Sequence, residues 1–326
     1  MELRSRITGT GSYVPERILT NADLERMVAT NDTWIVERTG IRERRIAAPG
    51  EACSDLGTKA AERALTSAGV SASDLDLILV ATCTSDSPLP STACLIQEKL
   101  GAAKACACDL SAACCGFIYA LSVADAYVKT GMRHVLVIGS EVMSAITDWS
   151  ERSTCILFGD GAGAVVLEPS EGNRGILSTH LHSDGSLSEL ICVPGGGSRN
   201  PPSEKMLSEG LQYLKMKGNE TFKVAVKTLE ETAREALAHN HLSIDDVDVY
   251  VPHQANIRIL RAVADRLKLP MEKVMVNIDR YGNTSAASIP LALDEGVKEG
   301  RIKTGDHVMI GAFGGGLTWA SAIIRW

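Results

Sequence analysis

The sequence predicts an α/β protein built from two copies of one unit, each a buried sheet covered by helices. Three observations carry that expectation. Near-continuous apolar segments of strand length alternate with amphipathic segments of helix length over the whole 326 residues. The stretch "AERALTSAGVSASDLDLILVA" (61–81) lies without a gap over "AREALAHNHLSIDDVDVYVPH" (233–253), 172 positions on. The later "HVLVIGS" and "DHVMIGA" return to the same spacing. Duplication divides the chain into an N-terminal half, 1–172, and a C-terminal half, 173–326.

Taken in order, the strand candidates are "LDLILVATCT" (75–84), "ACACDLS" (105–111), "HVLVIGSE" (134–141), "VDVYVPHQ" (247–254), "KVMVNID" (273–279), "HVMIGAFG" (307–314) and the terminal "WASAIIRW". These are near-continuous apolar runs of strand length. The helix candidates are 52–68, 91–100, 114–130, 220–240, 255–268 and 284–299, where apolar residues recur at helical spacing. The glycine-rich "GDGAGAVVLE" precedes a strand rather than a helix, so it is neither a dinucleotide fingerprint nor a phosphate loop. "PGGGSRNPP" (194–202) reads as a loop.

Composition narrows the function. Hydrophobic residues make up 45% and charged residues 22%, as in a soluble globular chain. A net charge of −7 offers no basic field for nucleic acid. No apolar run reaches membrane-spanning length. The N-terminal "MELRSRITGTGSYVPERILTN" lacks the apolar core of a secretion signal, which predicts a cytoplasmic protein. The nine cysteines then read as free thiols. Cys106 and Cys108 alternate within a strand-like run and are expected to pack as small core residues. With no C-x-x-C pair, a structural zinc site is not expected.

The candidate chemistry lies where strands give way to helices. In "SAACCGFIYAL" (111–121) two cysteines stand at a predicted helix start, where unpaired N–H groups and the positive end of the helix dipole lower a thiol pKa. Adjacent helical residues point about 100° apart, so only one of Cys114 and Cys115 faces a given cleft, and pattern alone does not choose. At a spacing of 169, Cys114 falls on Asn283; at 172, Ala81 falls on His253. Singly, a strand-end histidine and an asparagine before a helix have ordinary structural readings, His253 as a satisfied residue and Asn283 as a cap. Their common placement at strand ends, where open α/β sheets bind ligands, singles them out.

At these residues the sequence resembles the β-ketoacyl-acyl-carrier-protein synthase III family. "AACCGFIYAL", "PHQANIRI", "GNTSAASIP" and "FGGGLTW" carry the resemblance, together with "DTWIVERTGIRERRIA" (32–47), "FGDGAGAVVLE" (158–168) and "GNETFKVAV" (218–226). It spans essentially the whole chain. The resemblance implies a thiolase-like fold of five layers, αβαβα, and a homodimer in the cytoplasm.

The family's A-C-x-G-F pattern selects Cys114 as nucleophile, with His253 and Asn283 at the other two catalytic positions and Gly315 contributing a backbone oxyanion donor. The implied reaction joins a short acyl-CoA starter, acetyl or slightly larger or branched, to malonyl-acyl-carrier protein through a Cys114 thioester, initiating fatty-acid synthesis, and requires no metal or redox cofactor. The resemblance places Trp34, Arg38, Arg152 and Asn219 at the CoA nucleotide and Asn256 along the pantetheine. It places Leu89 at the acyl pocket of the partner subunit, and the smaller Leu in place of Phe suggests a wider pocket. Lys223, Arg258 and Arg261 are carrier-protein docking candidates, the two arginines sharing a helix face; Lys215 and Lys217 lie nearby in sequence. The alternatives are a Cys-His-Asn ketosynthase or acyltransferase of specialised metabolism, a cysteine hydrolase using the same thiolate, and a thiol-rich metal or interaction module.

Overall fold

Residues 3–326 are described in a computed structural model. Two sheets form the frame. The first runs β1 (Leu3–Tyr13), β5 (Asp160–Glu171), β4 (Val135–Val142), β2 (Leu77–Ala81), β3 (Cys106–Leu110) across its width. The second runs β6 (Gly175–Ser183), β9 (Thr318–Arg325), β8 (His307–Gly314), β7 (Val249–Pro252). The order is the same in both, and β1/β6, β2/β7 and β4/β8 each stand 172 positions apart. β2 is parallel to both its neighbours, and β7 is parallel to β8.

Strand alternation assigns the layers. In the first sheet Leu77, Leu79, Val135 and Val137 point to one face, while Ile78, Val80, Leu136 and Ile138 point to the other. The second face is covered by α1 (Cys53–Ala68) and α2 (Thr92–Leu100) through Leu56, Ala60, Ala64 and Ile96. The first face meets α3 (Gly116–Lys129) and α6 (Ser288–Lys298), which also pack on Val249, Val251, Val308 and Ile310 of the second sheet. The far side of that sheet, with Tyr250 and Met309, is covered by α4 (Gly218–His239) and α5 (Ile257–Leu267). The layers are therefore helix, sheet, helix, sheet, helix, and strands buried on both faces explain the continuous apolar runs. Among the described residues no helix is long and apolar enough to cross a membrane.

Each half turns into its central helix in the same way. Ala113 (φ 46°) and Ser285 (φ 49°) occupy the left-handed region, each opens a single 3-10 turn, and α3 and α6 follow at Gly116 and Ser288. All these pairs stand 172 apart, so Cys114 corresponds to Ala286 and not, as the 169 spacing suggested, to Asn283. The reason is an insertion. Ala107 pairs with Ile78, and Val274 pairs with Tyr250 at the equivalent position. Ala113 comes only six positions after Ala107, but Ser285 comes eleven after Val274. The extra length makes the short helix Ile278–Tyr281 and delivers Asn283.

Four other expectations are corrected. The segment 273–279 forms a single bridge and then turns helical, not a full strand. β1 and β6 were not among the strand candidates, because glycine and polar residues interrupt their apolar pattern. "GDGAGAVVLE" is itself the strand β5. Cys106 and Cys108 are exposed rather than buried, because β3 is the open edge of its sheet.

Candidate active site

A cavity of about 720 Å³ runs inward between the halves. Its lining changes from exposed Arg38, Arg152 and Asn219 to buried His253 and Asn283, which sets an outer and an inner end. Cys114, His253 and Asn283 share the inner end with Ser285 and Cys83. The neighbouring Cys115 is fully buried and its Sγ donates to the Thr318 carbonyl at 3.2 Å, so it is a core residue.

Cys114 sits in the 3-10 turn before α3. The end of β8 passes so close that a Cβ on Gly314 would lie 2.7 Å from the Cys114 backbone nitrogen, a separation only glycine allows. Gly315 follows on the cavity wall. Burial pushes the Cys114 thiol up to about 12; the Ser285 hydroxyl pulls it down and the buried Glu141 pushes it further up. The helix start was expected to lower this pKa. Burial outweighs that effect, because desolvation penalises the charged form most where the group is fully enclosed.

His253 leaves the end of β7 with its backbone N–H donated to Gly311. The ring is 4% exposed, and burial pushes its pKa down to about 3, so the imidazole is neutral. Its Nδ1 lies 2.6 Å from Ser288 Oγ.

Asn283 is clamped by the segment 157–159. Its N–H donates to the Leu157 carbonyl at 2.8 Å, and its carbonyl accepts from Gly159 N–H at 3.1 Å. Beneath this segment the fully buried Arg44 donates to the carbonyls of Ile156 and Leu19 and to Asn21 Oδ1. The Asn283 side-chain oxygen accepts from Ser285 N–H at 2.9 Å, which identifies the other terminus of the carboxamide as the NH2. That NH2 has no partner among the described residues and is left to the cavity.

Glu141 is fully buried on the far side of Cys83. Its carboxylate accepts from Cys83 N–H and from the Thr82 and Thr84 hydroxyls, with burial raising its pKa.

At the outer end the Trp34 ring lies 4.9 Å from the Arg38 guanidinium and 4.7 Å from that of Arg152. Asn219 opens α4, and Lys223 stands one turn on. Asn256 caps α5 through Arg258 N–H, leaving its amide NH2 toward the cavity. Arg258 lies 5.6 Å from the Phe222 ring at the same rim. Arg261 instead faces a separate groove with Glu37 and Asp279, across the helix Asp32–Thr39. Lys215 and Lys217 are engaged by Asp148 and Glu189. Leu89 does not line this cavity and is 86% exposed.

Ser285, Ser288, Cys83 and Gly314 were not singled out from the sequence. Both serines lie within "GNTSAAS", but nothing local marks one as facing a thiol and the other an imidazole.

A five-layer duplicated fold with a cysteine, a histidine and an asparagine on one cavity defines a thiolase-like condensing enzyme, an acyltransferase. Comparison with known proteins narrows the class. Residues 108–185 match the family model "3-Oxoacyl-[acyl-carrier-protein (ACP)] synthase III", and residues 237–326 match its C-terminal model. The chain is 56% identical over 324 residues to the β-ketoacyl-[acyl-carrier-protein] synthase III of Alkalilimnicola ehrlichii, covering 99% of each. Among solved structures it is similar to 3-oxoacyl-[acyl-carrier-protein] synthase III from Aquifex aeolicus. That match has a TM-score of 0.93 and 50% identity, over 99% of this chain and 100% of that one. It is also similar to the priming β-ketosynthase of the R1128 polyketide pathway, with a TM-score of 0.92 and 38% identity, over 98% and 95%. The chain belongs to the β-ketoacyl-acyl-carrier-protein synthase III family, the condensing enzymes that initiate fatty-acid synthesis.

Proposed function

We propose that the chain condenses a short acyl-CoA with malonyl-acyl-carrier protein, using Cys114, His253 and Asn283 in two half-reactions. The observation that carries this reading is the gathering of these three side chains at the buried end of one cavity whose outer rim holds Trp34 between reach of two guanidiniums.

In the first half-reaction Cys114 sulfur attacks the acyl-CoA carbonyl. The C–S bond to CoA breaks as the bond to Cys114 forms, and the Cys114 proton leaves on the CoA sulfur. The oxyanion lies against the N–H groups of Cys114 and Gly315, each such donor typically giving about 2.7–4 kcal/mol. In the second, malonyl-carrier protein loses carbon dioxide. The enolate oxygen takes hydrogen bonds from His253 Nε2–H and the Asn283 NH2. The carbanion attacks the thioester, and the Cys114 thiolate leaves and takes up one proton. His253, made a weak base by its depressed pKa, and untitratable Asn283 suit donation rather than proton abstraction.

At the rim, Trp34, Arg38, Arg152 and Asn219 bind the CoA nucleotide, Asn256 hydrogen-bonds the pantetheine, and Leu89 of one protomer closes the acyl pocket of its partner in a homodimer. Lys223, Arg258 and Arg261 meet the acidic carrier protein. The halves 1–172 and 173–326 act as one unit in the cytoplasm, with the nucleophile on the first and the donors on the second. Likeness to a priming polyketide ketosynthase favours a second reading, the same chemistry with another starter in specialised metabolism.

The test is intact-mass detection of the acyl-enzyme across a panel of acyl-CoAs, followed by malonyl-carrier protein. Acylation of Cys114 by short starters and release of a β-ketoacyl-carrier protein support the reading. Absence of the adduct, or release of free acid alone, sinks it. Sedimentation of the wild type beside Leu89→Glu tests the dimer.

A further inference from the structure

The short contact between His253 Nδ1 and Ser288 Oγ, at 2.6 Å, has a direction that hydrogen-bond bookkeeping decides. The backbone N–H of Gln254 points at the same hydroxyl from 3.3 Å and can only donate. Gln254 is held there: its Nε2 donates to the carbonyls of Pro252 and Met275, and its Oε1 accepts from Asn277 N–H. Some helical hydroxyls elsewhere in the protein return their proton to the carbonyl four residues earlier, as Thr39 does to Ile35, Thr58 to Ser54 and Thr228 to Val224. Ser288 does not. Among the described residues its oxygen has no hydrogen-bond partner other than His253 and Gln254. Ser288 is 2% exposed, so an unmade donor there is costly. The one acceptor for its proton is His253 Nδ1.

We propose that Ser288 is a positioning residue that holds His253 in the tautomer with its proton on Nε2, so that the ring presents a donor to the cavity. This rests on the reading of His253 as an enolate donor and goes beyond it by naming what fixes that state. In the opposite tautomer the Ser288 oxygen would accept from both Nδ1–H and Gln254 N–H, and its own buried proton would have no acceptor. It would also turn the Nε2 lone pair toward the developing enolate oxygen. A neutral imidazole has one donor and one acceptor nitrogen, so occupying Nδ1 with a donor decides the other.

The direct test is nitrogen NMR of the full-length protein carrying [15N]histidine, with the His253 signals assigned by comparison with His253→Ala. A pyrrole-type Nε2 and a pyridine-type Nδ1 are expected; a proton on Nδ1 overturns the proposal. Kinetics give a second test. Losing one preorganised donor costs about 10²–10³ in rate, and a donor that is only misoriented costs less, so Ser288→Ala should lower kcat for malonyl decarboxylation about 10–100-fold. KM for malonyl-carrier protein and acylation of Cys114 should be unchanged. Ser288→Thr, which keeps the hydroxyl, should restore most of the rate. A folded Ser288→Thr as slow as Ser288→Ala would mean a packing role and overturn the proposal. Failure of the wild type to acylate Cys114, or normal decarboxylation by His253→Ala, would instead remove the underlying reading. If Ser288→Ala does not fold, the wild-type NMR still decides.

Discussion

Gly314 stands where a side chain would lie 2.7 Å from the Cys114 nitrogen, so the last residues of a strand in the second half hold the candidate nucleophile of the first. Gly314→Ala must push the two apart. Overpacking of this kind costs about 1–3 kcal/mol, and here it falls on the N–H assigned to the oxyanion. Acylation of Cys114 should drop more steeply than thermal stability does; intact-mass kinetics beside a melting curve measure both. Normal acylation in Gly314→Ala would separate this contact from catalysis.

Cys114 and Cys115 should behave as opposites. Cys114→Ala removes the cavity thiol and should abolish acyl-enzyme formation with little change in stability. Cys115→Ala removes a buried hydrogen-bonded sulfur, so it should acylate normally while losing about 1–2 kcal/mol of stability. Intact mass and denaturant titration distinguish them.

Asn283 gives its oxygen to Ser285 and keeps its NH2 for the cavity. Asn283→Ala should therefore spare acyl transfer from CoA and slow decarboxylation by about 10²–10³, the usual effect of losing one such donor. Asn283→Asp keeps the acceptor but has no donor when ionised, and should be as slow. Single-turnover measurement of each half-reaction checks this; equal losses in both would contradict the division.

His253 sets the pH dependence. Its folded pKa is depressed from 6.5 to about 3, so the ring stays neutral well below the ordinary range. Decarboxylation by pre-acylated enzyme should show no inflection of histidine type between about pH 5 and 8. The sign for stability follows. The unfolded chain takes up a proton near 6.5 that the folded ring refuses until about 3, so this site's contribution is full above 6.5 and falls as pH drops below it. A rate step centred near 6.5 that disappears in His253→Gln would show that the ring titrates in the fold.

At the rim, Trp34→Ala should weaken acyl-CoA while leaving the buried chemistry alone. Cation–π contacts of this kind give about 0.5–2 kcal/mol each, so KM for acyl-CoA should rise several-fold with kcat nearly unchanged. A fall in kcat alone would place Trp34 outside the binding path.

The repeat was legible because strands buried on both faces carry an unbroken apolar code, and α1 and α4 kept their spacing to the strands after them. β1 and β6 were not, since glycine and polar residues interrupt their apolar pattern. Cys106 and Cys108, both exposed, look like core residues in sequence because an edge strand keeps the composition of its neighbours while losing one partner. The spacing of 169 failed because ungapped matching spread a five-residue insertion over the whole segment, although it still drew attention to Asn283.

By itself the sequence determined the duplicated α/β architecture, its main helices, and the motifs that mark the family, all of which depend on local periodicity and residue type. Only the tertiary structure decided which of two adjacent cysteines faces the cavity, which end of Asn283 is free, and what touches His253 Nδ1. Those are matters of direction. They are set where Gly314, Ser285 and Ser288 arrive from distant chain positions, and a hydrogen bond or a clash between remote residues leaves no periodic trace in either one's own neighbourhood.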